Sequence, residues 1–226
     1  VEVSGSVDTN TPGSYTLSYK AIDGSGNESA VVTRTVEVGE PITITPWRIS
    51  DESDDIVSGI SQGFRGDPNA YQYANIPPTS DLSWQVAPLD GSGNILFGSG
   101  NSSKLGGYPC GTALDFTYFE TFVDIPADIQ VNELTVTFGQ VDDGVRAYIF
   151  NSAYPNGTYR GELYGGTNFS QDYSDLAVPG ELNRIVIVQF DDCAVGNNLR
   201  DANITINGSP VPVNNSAPPV AIAQDI

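Results

Sequence analysis

Val141-Asp142-Asp143-Gly144-Val145-Arg146-Ala147-Tyr148-Ile149-Phe150 sets two acids and a glycine at the mouth of an apolar, aromatic run. Valine, isoleucine, tyrosine and phenylalanine suit a pleated, half-buried surface, so residues 145–151 read as a strand and the acids as its entry turn. The same grammar recurs on both sides. Residues 82–88, 113–122, 133–139, 183–190 and 202–207 are rich in Val, Ile, Thr, Tyr and Phe, and Gly, Pro, Asn and Asp separate them. No stretch of a dozen residues carries a helical period. Strands at this spacing over about 170 residues predict an all-β fold, an antiparallel two-sheet β-sandwich of jelly-roll type.

Ahead of this unit, residues 14–21 and 30–38 alternate with a period of two around the turn Ile22-Asp23-Gly24-Ser25-Gly26-Asn27-Glu28. The run from Val7 to Tyr15, followed by Ala21 to Asn27, resembles the C-terminal half of bacterial immunoglobulin-like repeats. Such repeats act as spacers in large secreted proteins. The resemblance implies a partial Ig-like β segment over 1–40, bounded by Gly39-Glu40-Pro41. A β-sandwich unit then spans 41–213. The Pro- and Asn-rich run from Pro210 to Pro219 marks its end, so 214–226 reads as a linker and the first strand of a further repeat. A chain that opens inside a strand pattern and contains no Met is expected to be a monomeric module excised from a longer protein.

Composition narrows the chemistry. Asp and Glu total 28 against 9 Lys and Arg, a formal charge of −19, and there is no histidine. Such a surface repels nucleic acid and anionic membranes, and no apolar run is long enough for membrane insertion. His-based nucleophile pairs and His zinc sites are impossible. The Gly91-Ser92-Gly93-Asn94 stretch lacks a phosphate loop's lysine and reads as a turn. Carboxylate-pair glycoside hydrolysis is the one catalytic chemistry left, but nothing in the sequence pairs acids across a cleft. The expectation is therefore a binding module, not an enzyme. The clusters Asp51-Glu52-Ser53-Asp54-Asp55 and Asp191-Asp192 read as solvated loops. Arg65-Gly66-Asp67 matches a tripeptide found in integrin ligands, too short a match to assign a role. Cys110 and Cys193 fit either one disulfide in an extracellular or cell-surface setting or two buried thiols. As a bridge they would close a loop of about 80 residues, worth about 4 kcal/mol on chain entropy.

The opening stretch carries more. Adjacent side chains on a regular strand point to opposite faces, so Asp142 and Asp143 can grip one ion only across a bent backbone, a cis peptide for example. Gly144 leaves room for such a backbone or for a ligand's approach. The run Asp142 to Ile149 resembles the signature of the protective-antigen-type domain, a β-sandwich of bacterial adhesins, glycosidases and yeast flocculins. In its lectin members two successive Asp joined by a cis peptide bind Ca2+, and the ion holds sugar hydroxyls directly. A later loop adds an Asn side chain and two alternate backbone carbonyls. Gly196-Asn197-Asn198-Leu199-Arg200-Asp201 falls where that loop belongs. The resemblance thus implies Asp142, Asp143, Asn197, Leu199 and Asp201 as metal ligands, with Gly144, Asn198 and Arg200 beside the sugar. Lectin members often carry an aromatic residue where Asp201 stands. Sugar faces also stack on rings, and among the loop tyrosines Tyr154 and Tyr159 follow the signature strand most closely. The expected partner is a glycan or polysaccharide. The alternatives are a calcium-independent, galactose-binding-like module of a polysaccharide-degrading enzyme, and a structural or protein-docking domain.

Overall fold

The computed structural model describes residues 1–52, 55–60, 68–98 and 103–215. Arg65-Gly66-Asp67, part of the 51–55 acidic cluster and the strand expected after 216 lie outside the described residues. Glu2–Ser4 (β1), Gly13–Lys20 (β2) and Val32–Val38 (β3) form a 3-stranded antiparallel sheet that pairs with neither of the others. The chain continues through Thr43–Ile44 (β4), Arg48–Ser50 (β5), Ile56–Ser58 (β6), Gln85–Val86 (β7), Ile95–Phe97 (β8), Ala113–Asp124 (β9) and Leu134–Asp142 (β10). Gly144–Phe150 (β11), Thr158–Tyr164 (β12), Thr167–Asp172 (β13), Leu182–Asp191 (β14), Asn198–Ile206 (β15) and Ser209–Pro210 (β16) complete it. A 5-stranded sheet has the order β13-β10-β15-β16 with β8 on β15. An 8-stranded sheet has the order β12-β11-β14-β9-β5-β7 with β4 and β6 on β9. The expected antiparallel, sandwich-like all-β class is what the chain adopts.

The two larger sheets share one core. Val136, Phe138, Ala202 and Ile204 from the smaller meet Phe119, Val123, Ala147, Ile149, Ile185 and Ile187 from the larger. The larger sheet is covered on its other face as well. There Leu114, Phe116, Tyr118, Val186, Val188 and Phe190 pack under Ala70, Tyr71 and Trp84, which come from the short 3-10 helix Pro68–Tyr73 and the loop after it. Burial on both faces explains why Ile185-Val186-Ile187-Val188 reads as an unbroken apolar run and not an alternating one. On that second face Glu120 is fully buried and held by Arg48 and by Arg184, whose Nε lies 2.7 Å from it.

Local chemistry sets the turns. Asp23-Gly24-Ser25-Gly26-Asn27 and Asp90-Gly91-Ser92-Gly93-Asn94 are the same five residues in two separate turns, and they fold alike. The Asp23 Oδ1 accepts from the amides of Ser25 and Asn27, both at 2.9 Å, and the Asp90 Oδ1 from those of Ser92 and Asn94 at 2.8 and 3.0 Å. In each, the asparagine side chain donates to the second carboxylate oxygen at 2.8 Å. These bonds hold both carboxyls below the usual range, the asparagine side chain contributing most. Asn207-Gly208 joins β15 to β16 with φ of +49° and +75°, the two-residue turn that an Asn-Gly pair encodes.

The strand expectations over 113–122, 183–190 and 202–207 fall within or beside β9, β14 and β15. The expected strand 82–88 shrinks to β7: Leu82 is 97% exposed and lies outside it. The expected strand 133–139 runs on to Asp142, so one acid ends that strand and the other, Asp143, links it to the next.

Candidate functional site

Two strand pairings bring the sequence-predicted residues to one end of the sandwich. In the smaller sheet β10 pairs β15 with Asp142 opposite Asn198, Val141 opposite Leu199 and Gln140 opposite Arg200. In the larger sheet Gly144 at the start of β11 lies opposite Phe190 near the end of β14. The chain crosses between the sheets at Asp142-Asp143, and the peptide joining them is cis. Asp143 is 6% exposed, and its Oδ2 accepts the Asp192 amide at 2.9 Å.

The 196–198 loop is fitted to these acids. Gly196 has φ of +97°, and a Cβ built on it would stand 3.3 Å from the Asp142 Cγ and overlap the Oδ2. Only glycine lets the loop lie against that carboxylate in this conformation. Asn197 is fully buried and Asn198 nearly so; the Asn198 Nδ2 donates to the Gly196 carbonyl at 2.6 Å. Leu199 is buried in the core between Val141 and Phe97 on the flanking strands. Arg200 donates to the Gly98 carbonyl at 3.3 Å. Asp201 has a left-handed φ of +56° where the pairing with β8 shifts register. Its side chain folds over Gly139, where a Cβ would come within 2.6 Å of the Asp201 Cβ.

Gln189 is a site residue the sequence reading passed over. Fully buried on β14, its Nε2 donates to the Asp142 carbonyl at 2.8 Å and to the Asn197 side-chain oxygen. It thereby ties the acidic turn to the asparagine loop. A glutamine inside an otherwise apolar run was its signal, since a buried amide must find partners. The disulfide fastens the same region. Cys110 and Cys193 are bonded with a sequence separation of 83, and the Gly111 amide donates to the Asp192 carbonyl at 2.8 Å.

The solvated-loop reading of Asp191-Asp192 is corrected: Asp191 is fully buried and Asp192 nearly so. Burial pushes the Asp191 carboxyl up to about 7; the Ser103 hydroxyl opposes this, and repulsion from Asp143 and Asp115 adds to it. Asp115, opposite Asp191 on β9, is raised by burial, partly offset by Lys104. Burial pulls Lys104 down, but Asp51 and Asp115 more than compensate and leave it raised.

Tyr154 and Tyr159 are not brought to the acids. Tyr159 pairs with Tyr148, five residues along β11 from Asp143, a distance of about 16 Å at strand rise. Its ring lies 3.9 Å from the Arg146 guanidinium. Tyr154 packs half-buried against the main core beyond the far end of that strand. Tyr108, 40% exposed, stands two residues before Cys110, whose disulfide partner Cys193 follows Asp191-Asp192.

Carboxylates and amide and carbonyl oxygens at this end are hard donors of the kind Ca2+ takes, and no soft ligand stands among them. Among the described residues no three Asp, Glu, His or Cys side chains gather closely enough to enclose an ion. Neutral oxygens would have to supply the balance.

Residues 1–38 match the family described as bacterial surface protein, Ig-like domain. The match covers the N-terminal sheet, supports the Ig-like flank and points to a cell-surface or extracellular protein. No curated protein sequence matches the chain. Among solved structures it is similar to the β-glucuronidase of Ruminococcus gnavus in complex with D-glucuronic acid, at 16% identity over 68% of this chain and 23% of that one, with a TM-score of 0.35. The crystal structure of the same β-glucuronidase and its complex with D-glucaro 1,5-lactone give 16% identity, 68% of this chain, 22% of theirs and 0.35. The chain spans under a quarter of the length of those enzymes, and a likeness of this size transfers no activity.

Proposed function

We propose that the β unit spanning 41–213 is a calcium-dependent carbohydrate-binding module of a secreted or cell-surface adhesin. The observation that carries the reading is the convergence of two segments distant in sequence. Asp142 and Asp143 on one side meet the 196–198 loop on the other, with Gly196 set against the Asp142 carboxylate. Asp142 and Asp143 would supply the charged ligands, Asn197 a side-chain oxygen, and Leu199 and Asp201 backbone carbonyls. Calcium takes six to eight oxygens, so such a donor set leaves positions for neighbouring sugar hydroxyls. Gln189 and the Cys110–Cys193 bridge hold the two segments in place before any ligand arrives, which lowers the ordering cost of binding. Tyr108 takes the stacking role first sought in Tyr154 and Tyr159.

Calorimetry with Asp143→Ala and Tyr108→Ala tests the reading once a glycan ligand has been found. Loss of calcium and glycan binding together in the first, and loss of glycan affinity alone in the second, is expected. Glycan affinity that survives Asp143→Ala refutes the calcium-mediated mechanism. It would favour the galactose-binding-like alternative.

A further inference from the structure

A third carboxylate, Asp191, stands beside Asp143 and has no part in the proposed donor set. On β14, Ile185 and Ile187 face the main core, and strand alternation puts Asp191 on the same side. On β9, Phe119 and Val123 face that core, and Asp115 shares their side. Asp191 and Asp115 are cross-strand partners, both essentially without solvent exposure. Asp143 joins them from β11's side: its amide donates to the Phe190 carbonyl at 3.1 Å, and its carboxylate accepts the amide that follows Asp191. Three acids therefore line the ends of three neighbouring strands.

Their partners are unequal. The Asp115 Oδ1 lies 3.1 Å from the Lys104 Nζ and its Oδ2 accepts the Lys104 amide at 3.0 Å. The same ammonium lies 2.9 Å from Asp51. Asp143 has the Asp192 amide. Among the described residues no cation pairs with Asp191. Among the described residues its Oδ2 accepts no hydrogen bond, and its Oδ1 takes a 3.5 Å contact from the Cys193 amide. The nearby Ser103 hydroxyl donates instead to the Cys193 carbonyl at 2.8 Å. A fully buried carboxylate oxygen without a donor is among the costliest groups a fold can hold, unless a positive charge is its intended neighbour.

We propose that Asp191 tunes the cation site without itself ligating the ion, its charge beside Asp143 adding to the negative field there and favouring multivalent over monovalent ions. The inference rests on the cation reading of that site. Its logic is electrostatic: like charges held close without water are unfavourable until an ion of opposite charge binds beside them, and the gain grows with that ion's charge. A carboxylate kept only for packing would show no such coupling to the ion.

The test compares wild type, Asp191→Asn and Asp142→Asn, each titrated calorimetrically with calcium and with terbium and melted in chelator and in calcium. For Asp191→Asn we expect calcium affinity to fall at least tenfold and the terbium-to-calcium affinity ratio to shrink. Its melting temperature should rise in chelator, where the repulsion is relieved, while the calcium-induced upward shift diminishes. A purely structural role would move the melting temperature equally in both buffers and leave the ratio unchanged; that outcome, or wild-type calcium affinity in Asp191→Asn, overturns the inference. If Asp142→Asn loses calcium while Asp191→Asn keeps it, this inference fails and the proposed function stands. If wild type binds no calcium, both fail.

Discussion

Gly196→Ala separates the cost of a backbone from the cost of a site. At φ +97° an alanine pays the left-handed penalty, about 1–2 kcal/mol. Its methyl group also overlaps the Asp142 Oδ2, the far end of a side chain that can rotate away. The fold should survive, and the Asp142 carboxylate should leave its place. Gly208→Ala is the matching control, with φ of +75° and nothing within 4 Å of an added Cβ. Both variants should lose about 1–2 kcal/mol in urea unfolding with chelator present. Only Gly196→Ala should lose calcium affinity. Displacing one charged ligand is worth about 1.5–3 kcal/mol, a ten- to hundredfold rise in Kd. The assay is calcium titration calorimetry on both variants beside wild type. Equal calcium affinity in the two variants would refute the claim that the 196–198 loop and Asp142 form one site.

Other outcomes follow from the same geometry. Glu120→Gln removes the buried anion shared by Arg48 and Arg184 and should cost about 3–5 kcal/mol in denaturant unfolding, leaving two cations without their partner. Reducing the Cys110–Cys193 bridge should lower stability by up to about 4 kcal/mol and weaken calcium binding, both read in the same buffer with and without reductant. The pH dependence of the calcium-free protein should carry the Asp191 signature. Its folded pKa of about 7 lies above a carboxylate's ordinary value of 3.8, so the folded state binds the extra proton between the two. Stability from this group is therefore greatest at low pH, falls by at most about 1.4 kcal/mol per unit as pH rises from 4 to 7, and is level above. Asp191→Asn should remove that slope, measured as the difference between the two proteins' stability curves.

How much of this was legible in the sequence depends on where each residue's partners lie. Residues 183–190 and 113–122 announced themselves because both faces of their sheet are covered, so nearly every position is apolar or aromatic. Thr158–Tyr164 and Thr167–Asp172 gave no such signal: they are edge strands with polar, partly exposed faces. The twin Asp-Gly-Ser-Gly-Asn turns were readable because every bond that shapes them is local. Asp142 and Asp143 were legible as a pair, and so was the later asparagine loop, through a resemblance carried by residues close together in sequence. That Asp191 and Asp192 are buried was not, for an acid's burial is decided by strands far away in sequence. Gln189's role also depends on Asp142 and Asn197 being brought together first. Tyr154 and Tyr159 were chosen by nearness in sequence to a strand whose far end they follow, and a strand separates its two ends.

The central claim, that sugar is held through a protein-bound calcium ion, is tested most directly by screening the intact chain on a glycan array in calcium and again with chelator. The account predicts a set of bound glycans in calcium that disappears with chelator and returns when calcium is restored. Binding that persists unchanged in chelator, or no binding in calcium at all, would contradict it.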